Sequence, residues 1–357
     1  MRKIYLVRHG KPHFPGGEQY CLGSADFPLG TTGRLQACQT GYGLKGEKLR
    51  VFTSPLRRAY DTAAYIAPSP VVIEDLQEMH AGDWDGLSFR EIKEKWPELY
   101  EARAENTELP IPGAEDWDEG QTRFIKAVEQ ALSQSEGDIA IVAHTTVILS
   151  FICRIMGSTE YRAFKYRQDY GGYYLVTLDD MGGYHCEFPW QRPVPELDET
   201  LCRKLMAAAE VPEHIIAHCV AVADKAMELH AALCGAGLEL NKKAIYHAAL
   251  LHDIARLHPQ HAGLGAEWLE NLGYSGLADI IRQHHEPESE DIDEAAVLYM
   301  ADKLVQGTEP VTLKERFEKS REKCHDAEAI AAHTRRREQA EAMAEKINRL
   351  CNMEIIR

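Results

Sequence analysis

Apolar residues change their spacing about halfway along this chain. In the first half, short continuous apolar runs at 3–7, 50–53, 71–73 and 139–143 are bounded by turn-forming residues, the mark of strands buried on both faces. Helical spacing fills the gaps, at 33–44, 55–66, 88–95 and 116–132. That alternation predicts an α/β domain whose mixed, mostly parallel sheet is flanked by helices. Two further runs, 173–178 and 184–188, are split by Asp179-Asp180-Met181-Gly182-Gly183 and predict a hairpin that closes the domain.

Beyond residue 188 the texture is different. The stretch FPWQRPVPEL at 188–197 carries three prolines, which prevent continuous helix and favour extended chain. This places a first domain at 1–190, a proline-containing linker at 191–199 and a second domain at 200–357. Helical spacing dominates that second domain, over 219–233, 242–257, 264–272, 277–285 and 294–305, with a charged, alanine-rich helical tail at 313–350. An all-α domain is expected there.

Composition narrows the function classes. A chain of 357 residues suits two cores, and 45% hydrophobic with 27% charged residues is ordinary for globular protein. The formal net charge of -16, from 56 acidic and 40 basic residues, argues against general nucleic-acid or anionic-membrane binding, which need a positive field. It leaves phosphate substrates open, because a few buried arginines or a metal ion can bind an anion locally. The opening MRKIYLVRHG lacks a signal-peptide core, and no apolar run approaches the roughly 18 residues that would span a bilayer. Nine cysteines without a Cys-x-x-Cys pair suit free thiols in a reducing compartment. A cytoplasmic location is expected.

Four strand ends in the first half carry reactive side chains. Arg8-His9-Gly10 follows the first run, Ser54 to Ala63 follows the second and opens a helix with cations, Glu78 lies past the third, and His144 ends the fourth. Ligand crevices form at the carboxyl ends of strands in open α/β sheets, and helix N-termini bind anions. An Arg-His-Gly triplet alone is a common loop sequence. Taken in order, however, the triplet, the loop Cys21-Leu22-Gly23-Ser24-Ala25-Asp26-Phe27-Pro28-Leu29 leading to Gly33, the Ser-Pro-Leu-x-Arg-Ala-x-x-Thr-Ala segment at 54–63 and the segment from Glu78 to Gly86 resemble the histidine phosphatase superfamily. That clan includes cofactor-dependent phosphoglycerate mutase and the α-ribazole phosphatases, and the resemblance covers residues 1–190.

The resemblance implies a phosphoglycerate mutase-like fold with no cofactor in this half. It implies His9 as a nucleophile that forms a phosphohistidine, Arg8, Arg58 and His144 as the phosphate pocket, and Glu78 as proton donor and then base. Spacing to Ala59 selects Arg58 over Arg57; Asp83 and Asp85 are alternative acids. Lys11, Gly23 and Ser24 fall at the substrate end. The family often has an acidic residue where Lys11 stands and a Gly-Gly pair where Thr145-Thr146 stands, departures that bear on substrate rather than chemistry. The short stretch from Glu78 to His144 looks like the phosphatase branch, acting on an α-ribazole-phosphate-like or other small phosphometabolite. The alternative is a phosphoglycerate-mutase-type isomerase whose helical half is a regulatory metal- or nucleotide-binding module.

Histidines concentrate in the second half, where eleven of the 16 lie between His214 and His333. His252-Asp253 sits in an apolar run at 248–255, and burying such a pair is costly unless it is hydrogen-bonded or metal-bound. A lone His-Asp pair at a helix end is more often simply hydrogen-bonded. His218 and Asp302 recur in the same way, each a polar residue in an apolar helical stretch, and imidazole with carboxylate suits iron, manganese, zinc or similar divalent ions. The order His, His-Asp, His, His, Asp looks like the HD-domain phosphohydrolases over residues 200–310. It resembles most the branch with bacterial dinucleoside-tetraphosphate hydrolases, through Leu-Leu-His-Asp-Ile-Ala and Ala-Asp-Lys.

That resemblance implies His218, His252, Asp253 and Asp302 as ligands of a first divalent metal, and His261 with His284 or His285 for a second. One regular helix cannot point both 284 and 285 inward, and His284 is preferred. His247 reads as packing or surface, and Arg335-Arg336-Arg337 as a solvated helix face that could also meet an anionic substrate. The whole chain is thus expected to be a bifunctional phosphohydrolase. Its expected partners are small phosphate esters and nucleotides, with no nucleic acid and no membrane.

Overall fold

Alternate residues of the central strands are buried on opposite faces of one sheet, which is why those runs are apolar throughout. Ile4, Leu6, Phe52, Ile139 and Ile141 pack with Phe124, Val128, Ile148 and Phe151 on one face. Tyr5, Val7, Val51, Ala140 and Val142 pack with Leu44, Ala59 and Ala63 on the other. The computed structural model describes residues 1–106, 109–159, 166–322 and 324–356, and the chain divides into two units, Met1–Pro195 and Glu196–Arg357.

The sheet of the first unit comprises β1 (Arg2–Arg8), β2 (Arg50–Thr53), β3 (Val71–Val72), β4 (Ile139–Ala143), β5 (Tyr173–Leu178) and β6 (Tyr184–Cys186), in the order β3-β2-β4-β1-β5-β6. The first four strands are parallel, and β5 and β6 extend the sheet antiparallel, so it is mixed and mostly parallel. Its helices are α1 (Thr31–Gly43), α2 (Arg57–Ile66), α3 (Phe89–Lys95), α4 (Pro97–Glu105), α5 (Trp117–Ser133) and α6 (Thr145–Met156). Two of these were not expected from spacing. Every residue from Val147 to Cys153 of α6 is buried, which erases any polar stripe, and α4 buries none of its residues, which erases the apolar one.

The second unit contains α7 (Glu199–Ala208), α8 (Glu213–Gly235), α9 (Lys242–Leu251), α10 (His261–Asn271), α11 (Ser275–Arg282), α12 (Glu294–Lys303), a small hairpin of β7 (Val305–Gln306) and β8 (Glu309–Pro310), α13 (Leu313–Arg321) and α14 (Ala327–Cys351). It is helical apart from that hairpin among the described residues. Spacing carried two helices too far: α9 stops at Leu251 rather than 257, and α11 at Arg282 rather than 285. In both, a histidine ring just past the end takes a last-turn carbonyl, His252 that of Ala249 and His284 that of Ile281. The expected tail at 313–350 is two helices, because Thr312 and Asp326 each cap a new start. Among the described residues no helix is long and apolar enough to cross a membrane.

The loop after β1 is held by two glycines in contact. A Cβ on Gly33 would lie 2.0 Å from the Lys11 carbonyl oxygen, and one on Gly10 would lie 2.3 Å from that of Gly33. Gly33→Ala is therefore expected to lower the unfolding free energy by about 1–3 kcal/mol in urea titration, the usual range for overpacking. An unchanged midpoint would show that the loop yields freely.

Candidate active sites

Parallel pairing sets Arg8 of β1 opposite Ala143 of β4, so His9 and His144 leave one sheet edge side by side, their ring centroids 5.0 Å apart. Ser54 leaves β2 at the same edge and lies 2.8 Å from His144 Nε2 through its hydroxyl. Arg58, on the first turn of α2 and only 1% exposed, donates to the carbonyls of Ala25 at 2.7 Å and Gly23 at 2.9 Å. Arg8 donates to the Gln168 carbonyl at 2.5 Å and lies 3.8 Å from the Tyr170 ring centre. The buried Glu78 carboxylate accepts from the backbone N–H groups of Met79 at 3.0 Å, Thr146 at 3.0 Å and Val147 at 3.1 Å. The last two belong to the first turn of α6, where negative charge is favoured.

The proton on His9 is placed by its partner. Nδ1 lies 2.7 Å from the Gly10 carbonyl, which can only accept, so Nδ1 carries the hydrogen and Nε2 a free lone pair. Burial, and then the charges of Arg58 and Arg8, hold the His9 imidazole well below its ordinary pKa. Burial and Arg58 do the same to His144. Both rings are therefore neutral, the form in which an imidazole can act as a nucleophile. Around them, Arg8 Nε, Arg58 Nε and His144 Nδ1 are buried without a hydrogen-bond partner. Unpaired buried donors are rare because they forfeit their solvation, and oxygens of a bound phosphate would satisfy them.

Other expected residues take different places. Arg57 is exposed beside Asp61, and Asp83 is exposed. Asp85 accepts from the N–H groups of Gly23, Ser24 and Ala25 at 2.7, 2.8 and 3.2 Å and from the Ser24 hydroxyl at 2.5 Å. This corrects the expected substrate contacts of Gly23 and Ser24: their donors are already occupied, and Gly23 acts by holding Arg58 through its carbonyl. The Lys11 side chain is exposed, while its backbone N–H donates to Gln36 at 3.0 Å. Sequence reasoning missed Gln168 and Tyr170, which follow no motif. It also missed Arg123, which binds both Glu115 oxygens at 2.8 Å and donates to the Glu78 carbonyl at 3.4 Å.

In the second unit, helix ends and one hairpin aim the histidines. His218 on α8, His252 after α9 and His284 after α11 place Nδ1 at 2.8, 2.8 and 2.7 Å from the carbonyls of Gly307, Ala249 and Ile281. Each Nδ1 therefore carries hydrogen and each Nε2 lone pair is turned inward, as a metal-ligating imidazole requires. His252 Nε2 and His284 Nε2 are buried with no hydrogen-bond partner. His218, His252 and Asp253 form one ligand group, and Asp302 joins it with Oδ1 at 3.3 Å from His218 Nε2 and 3.9 Å from His252 Nε2. His261, His284 and His285 form a second group.

His285 enters because α11 has ended at Arg282, which removes the regular-helix premise that excluded it. His261 Nε2 meets the Asp253 carboxylate at 3.1 Å, His285 Nε2 at 3.0 Å and Arg256 Nη1 at 3.0 Å. No single tautomer of His261 satisfies an obligate acceptor and an obligate donor at one nitrogen, whereas a cation among these lone pairs would. Burial opposes the charge on Asp253, but His252, His261 and Arg256 outweigh it and hold the carboxyl well below its usual range. Asp302 is likewise held low against burial, by Lys303 and then His218. His258 is exposed and packs on Trp268, and His247 is half-buried outside both groups. The residues present fit divalent ions.

Comparison with known proteins agrees in both halves. Residues 4–187 match the family model of the histidine phosphatase superfamily (branch 1), and residues 215–306 match that of the HD domain. A bifunctional protein of Mycobacterium tuberculosis is 33% identical over 153 residues, 41% of this chain and 42% of its own length. A metal-independent phosphoserine phosphatase of Arabidopsis thaliana is 33% identical over 163 residues, 43% of this chain and 68% of its own length. The solved structure of Bacillus stearothermophilus YhfR is 26% identical, covers 52% of this chain and 95% of itself, and superposes with a TM-score of 0.46. This chain thus spans well under half the length of the mycobacterial relative.

The lowered pKa values have a sign that can be checked. Below pH 6.5 the unfolded chain takes up protons at residues 9 and 144 while the folded rings remain neutral, so falling pH favours unfolding. Each ring is expected to cost about 1.4 kcal/mol of stability per pH unit until its folded pKa is reached. In ¹⁵N-histidine NMR both rings should stay neutral at pH 5.5, where exposed histidines are charged; a midpoint near 6.5 for His9 would contradict the assignment.

Proposed function

We propose that this chain, which belongs to the histidine phosphatase superfamily over residues 4–187 and carries an HD domain over residues 215–306, hydrolyses phosphate esters at two chemically independent sites. The observation that carries the first half is the neutral His9 Nε2 lone pair among unpartnered buried nitrogens of Arg8, Arg58 and His144. In this reading the Nε2 lone pair forms the N–P bond as the ester P–O bond breaks. Glu78, protonated, gives its proton to the departing oxygen. Water then attacks the phosphohistidine, Glu78 takes a proton from it, and the N–P electrons return to Nε2 as orthophosphate leaves. Arg8, Arg58 and His144 hold the equatorial oxygens throughout and neutralise the charge they gather.

The substrate of this site is a small phosphomonoester. The phosphoserine phosphatase relative favours this over phosphoryl transfer between hydroxyls. At the second site, His218, His252, Asp253 and Asp302 hold one divalent ion and His261, His284 and His285 a second, of iron, manganese, zinc or similar character, supplying Lewis acidity to a phosphate oxygen. Lys303 and Arg256, beside Asp302 and Asp253, add positive charge for an anionic substrate such as a nucleotide. Nine free cysteines favour a reducing, cytoplasmic setting.

A panel of phosphomonoesters and nucleotides, assayed with and without chelator, separates the two sites. Activity that resists chelator should vanish in His9→Ala and fall about 10²–10⁴-fold in Glu78→Gln. Activity that chelator removes should vanish in Asp253→Ala, together with bound metal, and survive in His9→Ala. Either variant abolishing both activities in folded protein would contradict two independent sites.

A further inference from the structure

Arg8 carries its charge into the first site without a counter-ion. Its Nη1 donates to the Gln168 carbonyl at 2.5 Å, and its Nε is buried with no hydrogen-bond partner. Among the described residues no carboxylate forms an ion pair with it; Glu78 and Asp169 act on it only from farther away. Taking a guanidinium out of water is costly unless something offsets its charge. A carboxylate bound to it would do so, but would also occupy the N–H groups that a phosphate oxygen needs.

Tyr170 offsets that charge in another way. The guanidinium carbon of Arg8 lies 3.8 Å from the centre of the Tyr170 ring, whose face is the negative end of its quadrupole. That face steadies the cation without neutralising it. Arg58 is held by a different device, the carbonyls of Ala25 and Gly23. The Tyr170 ring also lies 5.6 Å, centroid to centroid, from that of His9, so it borders both groups at the strand end. The backbone sets this placement. Arg8 N–H donates to the Gly172 carbonyl at 2.9 Å, Gly171 N–H to the Arg8 carbonyl at 3.1 Å, and Gly172 N–H back to the Asp169 carbonyl at 3.0 Å. These bonds close a β-turn with Tyr170 at its corner and lace it to Arg8 itself. Gln168, just before the turn, is 1% exposed and donates through Nε2 to the Leu6 carbonyl of β1 at 2.7 Å. The ring is thus registered on the residue whose side chain it covers.

We infer that Tyr170 is a positioning residue for the first site: its ring face fixes the Arg8 guanidinium where the equatorial oxygens of the transferring phosphoryl group gather charge. It acts through Arg8 and takes no proton and forms no bond in the reaction. The inference rests on the phosphohistidine reading proposed above.

The test uses full-length protein with chelator present and p-nitrophenyl phosphate as the probe. Tyr170→Leu should lower kcat about ten- to thirtyfold, the rate equivalent of one desolvated cation–π contact, and move KM by less than about threefold. Tyr170→Phe, which keeps the ring face, should stay within about threefold of wild type in both. In an Arg8→Ala background, with turnover followed over hours, Tyr170→Leu should cost less than about twofold further, because the group it acts through is gone. Unfolding midpoints should match wild type, and Tyr170→Met repeats the test if Leu destabilises the fold. A loss carried by KM, a Tyr170→Phe as slow as Tyr170→Leu, or an equal cost with and without Arg8 overturns the inference alone. Chelator-resistant hydrolysis that is absent from wild type, or that survives His9→Ala, overturns the phosphohistidine reading and the inference with it.

Discussion

A hydrogen bond from a histidine Nδ1–H to a backbone carbonyl is the constraint on which both halves of this protein rest. It occurs at His9 with Gly10, and at His218, His252 and His284 with Gly307, Ala249 and Ile281. In each, the carbonyl can only accept and so fixes the tautomer, which turns Nε2 toward the site. On the sheet edge the Nε2 lone pair faces the guanidinium groups of Arg8 and Arg58. Among the helices three such lone pairs face carboxylates and fit a metal.

Burial makes the same bond consequential for charge. His9 and His144 lie against Arg8 and Arg58 in a closed pocket, so a proton on either ring would add a third positive charge without solvent to spread it. In the helical unit the balance is opposite: Asp253 and Asp302 stay charged although buried, beside His252 and with Lys303, Arg256 and Arg316 as neighbouring cations. An overall charge of -16 does not oppose the two phosphate-ester sites proposed above, since Arg8 and Arg58 gather at one and Lys303, Arg256 and Arg316 beside the other.

The sheet was legible because its strands are buried on both faces and read as unbroken apolar runs, with β2 and β4 bounded correctly at 50–53 and 139–143. The chemistry at their ends was legible because short motifs follow each run directly. Helix α6 was not, being buried all round, nor α4, which buries nothing. Helix ends in the second unit were misplaced for a reason tied to function: the capping rings of His252 and His284 stop helices whose apolar spacing continues. That error also set His285 behind His284 as a candidate ligand. Gln168, Tyr170 and Arg123 carry no local signal, since each acts through tertiary contacts with Arg8 or Glu78. Asp85 had been weighed as an acid, and only its three backbone donors reveal it as the residue that shapes the Gly23 loop.

Neutron diffraction from a deuterium-exchanged crystal tests the shared constraint most directly, because it locates the exchangeable hydrogen on each ring. The account predicts deuterium on Nδ1 and none on Nε2 at His9, His252 and His284 near neutral pH. Deuterium on Nε2 of His9, or on Nε2 of both His252 and His284, would contradict it.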